Sequence, residues 1–171
     1  MRKALILLAV MAALGLSACG YSFRGKQNNL PSDVRTIAIP MLENRTGELR
    51  IESIFTDEII FQFTKSQMLR VTSEGQADAV LKAYIRKVDT EDVSLTRSTT
   101  SNQRRLWVTV SAQLMRRRDG KVLWEDKALE QNRTFAVSGS VQATDLAKQL
   151  AYKDLAKDLA QTLHDRVFEN F

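Results

Sequence analysis

Two stretches of alternating residues flank Arg118-Asp119-Gly120, and together they constrain the chain more than any other feature. Over residues 105–115, Leu106, Val108, Val110, Ala112 and Leu114 share one side; Trp107, Thr109, Ser111, Gln113 and Met115 share the other. A period of two marks a strand with one buried face. Residues 121–134 read as the returning strand. Gly120 supplies the left-handed residue that a three-residue hairpin loop needs. If Arg117 pairs with Lys121, then Leu114 faces Trp124 and Val110 faces Ala128, so the apolar faces coincide. That register puts Asp126 on the core face. A bulge near it, or an edge position for its strand, removes the conflict.

The rest of the chain supplies partners for this hairpin. Residues 34–41 read as a strand stopped by Pro40. Asn44, Thr46 and Gly47 follow as turn and cap residues. A helix is predicted over residues 48–66, where Ile51, Ile54, Phe55, Ile59 and Phe63 recur at spacings of three and four. Ile60 and Phe61 broaden that stripe, so it needs a sheet to cover it. Residues 68–72 read as a short strand. In residues 79–88, Ala79, Leu81, Ala83 and Ile85 alternate with Lys82, Tyr84 and Arg86, as in a half-buried strand. Residues 90–102, rich in Ser and Thr, read as a long loop or as the extended tips of two strands. A final helix is predicted over residues 141–167. Ala147, Ala151, Leu155, Leu159 and Leu163 form its stripe, and Leu146, Leu150, Ala156 and Ala160 widen it. Strand, helix, antiparallel strands, helix is the order of an α+β two-layer sandwich, with both helices on one face of a mostly antiparallel sheet. The pattern does not fix the number of strands.

The N-terminus carries a different signal. Met1-Arg2-Lys3 precedes an apolar run, residues 4–16, shorter than the roughly 20 residues a membrane span needs. A charged start, a short apolar core and a small-residue ending read as a secretion signal. Leu16-Ser17-Ala18-Cys19 resembles the bacterial lipobox. The resemblance implies cleavage after Ala18, a diacylglycerol on the Cys19 sulfur and acylation of the new amine. Cys19 is the single cysteine of the chain, so no internal disulfide forms, and lipidation removes a lone thiol from an oxidising compartment. More than one acyl chain gives stable anchoring. Gly20 stands where the sorting rule places the Asp of inner-membrane lipoproteins, which points to the periplasmic face of an outer membrane. The expected organisation is a signal peptide over 1–18, a lipidated tether over 19–32 and one domain over 33–171.

The mature chain loses Arg2 and Lys3, and its formal charge falls from +5 to +3. In that compartment an anionic glycolipid, a phospholipid surface or an acidic protein wall is a more natural partner than nucleic acid.

Several segments resemble the lipopolysaccharide-assembly lipoprotein family LptE: Cys19-Gly20-Tyr21-Ser22-Phe23-Arg24-Gly25, Leu30-Pro31 with Ile37-Ala38-Ile39-Pro40, and Asn44-Arg45-Thr46. The hairpin and the final helix complete the order, and the resemblance covers essentially the mature chain. It implies two helices on a sheet of about four strands and no enzymatic activity. It also implies partnership with LptD, a large outer-membrane β-barrel. The lipoprotein would plug the barrel lumen, aid barrel assembly and help insert lipopolysaccharide into the outer leaflet.

The residues themselves offer little catalytic chemistry. His164 is the single histidine, which excludes His-based triads and multi-histidine metal sites; its place late in the final helix reads as surface or helix end. No phosphate-binding loop or paired-cysteine motif is present, and no cofactor is expected beyond the lipid on Cys19. The cations are more informative. Arg116, Arg117, Arg118 and Lys121 crowd the hairpin turn against one acid, Asp119, and Arg104 and Arg105 lie near the other end. Arginine matches phosphate forks, so the turn is the first candidate for lipopolysaccharide contact and Arg104 with Arg105 the second. A solvated turn that merely keeps a loop soluble is the alternative. Trp124 is expected in the core, Trp107 and Tyr84 on the outer face. Rival functions are a stand-alone periplasmic binding lipoprotein, an auxiliary of an ABC-type lipid-transport system, or an envelope hydrolase.

Overall fold

The structure is a computed structural model that describes residues 30–93 and 103–169. Strand β1 (Thr36–Ala38) and strand β2 (Glu43–Asn44) precede helix α1 (Ile51–Ser66). Strand β3 (Arg70–Val71) and a short 3-10 turn lead into β4 (Ala79–Asp92), β5 (Gln103–Arg116) and β6 (Val122–Ala136). Helix α2 (Val141–Glu169) closes the order. The α+β class read from the sequence is the class observed. Among the described residues the sheet has six strands rather than about four, in the order β3-β1-β4-β5-β6, with β2 also paired to β4. It is mixed: β4, β5 and β6 form an antiparallel meander, whereas β1, β2 and β3 pair parallel.

The single strand expected over 34–41 is divided. Pro40 has no N–H to give a ladder, and pairing stops at Ala38 and resumes with β2 at Glu43. Asn44 then organises the approach to α1. Its amide donates to the Glu48 carbonyl at 2.7 Å and to Glu52 Oε2 at 3.0 Å. Its Oδ1 accepts from the Thr46 amide and hydroxyl. That local network carries the chain to Arg50, in the left-handed region at φ 63°, so the helix starts at Ile51 rather than near Glu48.

Among the described residues, the meander holds three register shifts. Pairing slips between Val110 and Ala112 of β5, where Ser111 meets both Lys127 and Ala128. Pairing between β4 and β5 slips at Arg86. The Lys127 carbonyl accepts from Ser111 Oγ at 2.6 Å and from Arg86 Nη1 at 2.9 Å, so neighbouring irregularities satisfy one another. Beyond the bulge Val110 faces Leu129, not Ala128, and Leu129 is fully buried. At the turn the expected register is off by one. Arg116, not Arg117, pairs with Lys121, and Leu114 still meets Trp124 because a second irregularity follows at once.

Both helices cover one sheet face. Phe55, Ile59 and Phe63 of α1 and Leu155, Leu159 and Leu163 of α2 pack with Leu81, Ile85, Leu106, Val110, Leu114 and Leu129. Fully burying side chains of this size stabilises by about 1.5–3 kcal/mol each before entropy is counted. Tyr152 of α2 is buried as well, which pushes its phenol well above the ordinary tyrosine range. His164 is not at the surface. It is 7% exposed between Phe63 and Phe168, with ring centroids 5.2 and 4.7 Å away. Its i+4 spacing to Phe168 and the facing Phe63 of α1 put it in the helix seam. Leu146 and Leu150 do not widen the buried stripe; they are exposed, and burial in α2 begins at Ala151. The 29-residue α2 overhangs the 16-residue α1, with the Lys148–Glu48 ion pair (2.7 Å) at the limit of overlap.

Candidate functional site

The candidate site is the β5–β6 turn, residues 117–120. The Arg116 amide donates to the Lys121 carbonyl at 2.8 Å and the Gly120 amide to the Arg116 carbonyl at 2.9 Å. Gly120 sits at φ 69°, the left-handed backbone its residue type permits. Asp119 Oδ1 accepts from the Lys121 amide at 3.1 Å. That hydrogen bond, with Arg116 and Arg118 nearby, holds the Asp119 carboxyl below its usual range against a smaller opposing effect of burial.

The cations are less free than the linear sequence shows. The Arg116 side chain is 12% exposed, with Nη1 3.3 Å from Asp119 and Nε 3.8 Å from Asp33, beyond hydrogen-bond length. Arg117 Nε donates to the Ala77 carbonyl at 2.6 Å. Arg118 Nη1 lies 3.1 Å from Asp33 and remains largely exposed. Lys121 is exposed. Arg116, Arg117 and Arg118, with Asp33, Ala77 and Asp78, line a cavity of about 130 Å³, and Lys121 lies outside it. Asp33 and Asp78 are the acids that the sequence did not assign to the turn. They arrive through the parallel pairing of β1 with β4, and no local spacing signals that.

Asp78 ties this end of the sheet together. Its Oδ2 accepts from the amides of Arg35 and Thr36, both at 3.0 Å, and from the Thr36 hydroxyl at 2.7 Å. Its carbonyl accepts from the Arg117 amide at 2.8 Å. Those contacts, the Thr36 hydroxyl foremost, hold the Asp78 carboxyl below the usual carboxylate range.

Arg104 and Arg105 do not join the turn. They lie at the opposite end of β5, about 40 Å away at 3.3–3.4 Å per residue. Arg104 Nε is 3.0 Å from Asp92, and Arg105 Nη1 is 3.7 Å from Glu91. Trp107 Nε1 donates to the same Glu91 at 2.9 Å. Trp107 and Tyr84 take the outer-face positions expected of them, Tyr84 beneath the Arg45 guanidinium at 4.0 Å; Trp124 packs half-buried against the core. Cys19 lies outside the described residues. Among the described residues, no group of His, Cys, Asp or Glu is arranged to hold a metal ion, and no helix is long and apolar enough to cross a membrane.

The fold recurs in solved lipoproteins. Lipoprotein B of Nitrosomonas europaea superposes with a TM-score of 0.56 at 19% identity, covering 87% of this chain and 90% of that one. A minor lipoprotein of Acinetobacter baumannii gives 0.56 at 16% identity, covering 82% and 95%. The rare lipoprotein B of Shewanella oneidensis gives 0.50 at 12% identity, covering 79% and 92%. At such identities the likeness concerns the fold. No curated protein matches the chain in sequence. Residues 34–167 match the family model of LptE, described as lipopolysaccharide-assembly, and the chain belongs to that family.

Proposed function

We propose that this chain is an outer-membrane lipoprotein, anchored on the periplasmic side through Cys19, that works in lipopolysaccharide assembly without catalysing a reaction. Its partner is an LptD-type β-barrel. The chain plugs the lumen, aids barrel assembly and assists insertion of lipopolysaccharide into the outer leaflet. The observation that carries this reading is the family match, which runs from β1 almost to the end of α2. The outer sheet face supports it. Lys82, Tyr84, Trp107, Thr109 and Gln113 lie on the side away from the helices, and such a polar and aromatic surface suits the polar interior of a barrel.

Contact with lipopolysaccharide phosphates falls to the turn of Arg116, Arg117, Arg118 and Lys121. Lys121 is exposed and Arg118, though 3.1 Å from Asp33, keeps 66% of its side chain exposed, whereas Arg104 and Arg105 are less exposed, at 48% and 39%, and each is paired to a carboxylate. Co-purification from detergent-solubilised outer membranes tests the reading. A stoichiometric large barrel is expected; an inner-membrane transporter in its place, or no partner at all, would overturn it.

A further inference from the structure

Asp33 faces the basic turn from a fixed piece of backbone. The Val34 amide donates to the Pro31 carbonyl at 2.9 Å, which makes Asp33 the third residue of a tight four-residue turn. Leu30 and Val34, close on either side of it, are buried in the core. The main chain at Asp33 is therefore held, and its side chain moves only by rotation about its own bonds. The carboxylate reaches one guanidinium well and another poorly. Its Oδ2 lies 3.1 Å from Arg118 Nη1 but 3.8 Å from Arg116 Nε. Arg116 Nε is buried and has no hydrogen-bond partner among the described residues. A buried N–H without an acceptor is costly. This one belongs to a side chain that lines the 130 Å³ cavity together with Asp33.

Three guanidiniums, Arg116, Arg117 and Arg118, meet three carboxylates here, Asp33, Asp78 and Asp119. The acids are not equivalent. Asp78 is fixed by the amides of Arg35 and Thr36 and by the Thr36 hydroxyl, and Asp119 by the Lys121 amide. The contacts of the Asp33 carboxylate are with the two guanidiniums alone, and its side chain is 38% exposed. Asp33 is thus the acid that can leave. Its rotation into solvent uncovers one net positive charge, an N–H in want of an acceptor, and a space of several water volumes at about 30 Å³ each. A phosphate monoester carries a charge of about −1.5 to −2 and three acceptor oxygens. It can serve Arg116 Nε and Arg118 Nη1 together, where a carboxylate on a short, tethered side chain serves only one.

We propose that Asp33 occupies the seat of a phosphate: a phosphate monoester enters the cavity of Arg116, Arg117 and Arg118 by displacing the Asp33 carboxylate, which competes for the same guanidiniums and so sets the affinity of the turn. That the phosphate belongs to a glycolipid rests on the reading of the turn as the lipopolysaccharide contact. The proposal deepens that reading by naming the seat, the buried Arg116 as the donor that the bound phosphate satisfies, and Asp33 as its built-in competitor. Arg117, held on the Ala77 carbonyl, adds charge without moving.

The test measures binding of the purified protein in detergent, at low salt, to lipopolysaccharide, to the same glycolipid stripped of its phosphates, and to inorganic phosphate. Asp33→Asn should bind lipopolysaccharide about fivefold more tightly than the parent, the gain of removing one exposed competitor. Asp33→Glu keeps the competing charge and should show no such gain. Adding Arg116→Lys to Asp33→Asn keeps the cation but removes the Nε–H, and should cancel the gain with an unchanged circular dichroism spectrum. Inorganic phosphate should shift the Arg116 Nε–H resonance in nitrogen-15 spectra, further in Asp33→Asn than in the parent. Equal or weaker lipopolysaccharide binding by Asp33→Asn, with the parent binding normally, would overturn the proposal and leave the turn as a contact without a competitor. An equal gain towards the stripped glycolipid would overturn it too, because the effect would then be one of overall charge. A shift with inorganic phosphate in a protein that binds no lipopolysaccharide would uphold the seat and remove the glycolipid as its ligand. An Arg116 resonance unmoved by phosphate in Asp33→Asn would remove the seat itself.

Discussion

Arg166 of α2 donates from Nη1 to Asp126 Oδ2 on the core-facing side of the edge strand β6. This is one rung of three. Gln131 Nε2 donates to Thr162 Oγ1 at 3.0 Å, and Arg133 Nη2 to Asp158 Oδ2 at 2.6 Å. The inward side of β6 is thus half polar, and α2 answers each polar residue in turn.

Removing either end of the first rung should weaken the domain unequally. The Asp126 side chain is 19% exposed and that of Arg166 49%. Arg166→Ala leaves the carboxylate mostly buried, with the Ala128 amide at 3.0 Å as its remaining partner. The expected cost is about 1–3 kcal/mol. The coupling from a double-mutant cycle with Asp126→Ala should be near 1 kcal/mol or below, as for other partly exposed pairs. Urea denaturation measures both; a wild-type midpoint for Arg166→Ala would show that the rung contributes nothing.

The same residue shows how far the sequence could be read. Asp126 broke the alternation, and two remedies were open, a bulge or an edge position. The structure uses both, and adds a guanidinium from forty residues away. The long antiparallel meander and both helices were legible because periodicity is local: each of Leu106, Val108, Val110 and Leu114 is fully buried as expected. Of the short parallel strands, β1 and β3 fell within stretches read as strands, whereas β2 was missed, since two residues such as Glu43 and Asn44 carry no period at all. His164 was misplaced because a single polar residue in a helix gives no sign of the aromatic rings facing it from another element. At the turn, the arginines and Asp119 were visible but the other acids were not. Asp33 and Asp78 reach them only through tertiary pairing.

Asp78 should give the acid limb of the stability curve a specific component. Its folded carboxyl titrates below the ordinary value of 3.8 because the Thr36 hydroxyl and the amides of Arg35 and Thr36 hydrogen-bond its charged form. A lowered folded value means stabilisation that is complete above the unfolded value and disappears as pH falls through the folded one. Asp78→Asn should therefore lower stability at pH 7. The gap between parent and variant should narrow below about pH 4. Urea midpoints at pH 7 and pH 3 check this, and a gap that stays constant between them would contradict it.

Cys19→Ala should abolish lipid attachment, given the lipobox-like Leu16-Ser17-Ala18-Cys19. The expected product is an unprocessed or misplaced precursor, seen as a larger band on a denaturing gel. Labelling with radioactive palmitate decides the point. Native protein that takes up no label would remove the anchor from the account.

The basic turn should bind lipopolysaccharide as a sum of small contacts. Four cations flank a tight reversal, but Arg116 is mostly buried and Arg117 is tied to Ala77. Replacing both as well as Arg118 and Lys121 with Ser therefore carries some cost in packing. Arg118→Ser with Lys121→Ser is the cleaner variant, because both side chains are exposed. Each exposed contact contributes up to about 1 kcal/mol, so the pair should weaken lipopolysaccharide binding about fivefold to tenfold at low salt. Screening should erase most of that difference at 1 M salt, where the field extends only about 3 Å. The quadruple variant should lose more, with barrel association retained because the outer sheet face is unaltered. Arg104→Ser with Arg105→Ser should change little, since Asp92 and Glu91 already neutralise those side chains. Equal lipopolysaccharide binding at low salt by parent, double and quadruple variants would reduce the turn to a solvated loop whose arginines serve Asp33, Asp119 and the Ala77 carbonyl.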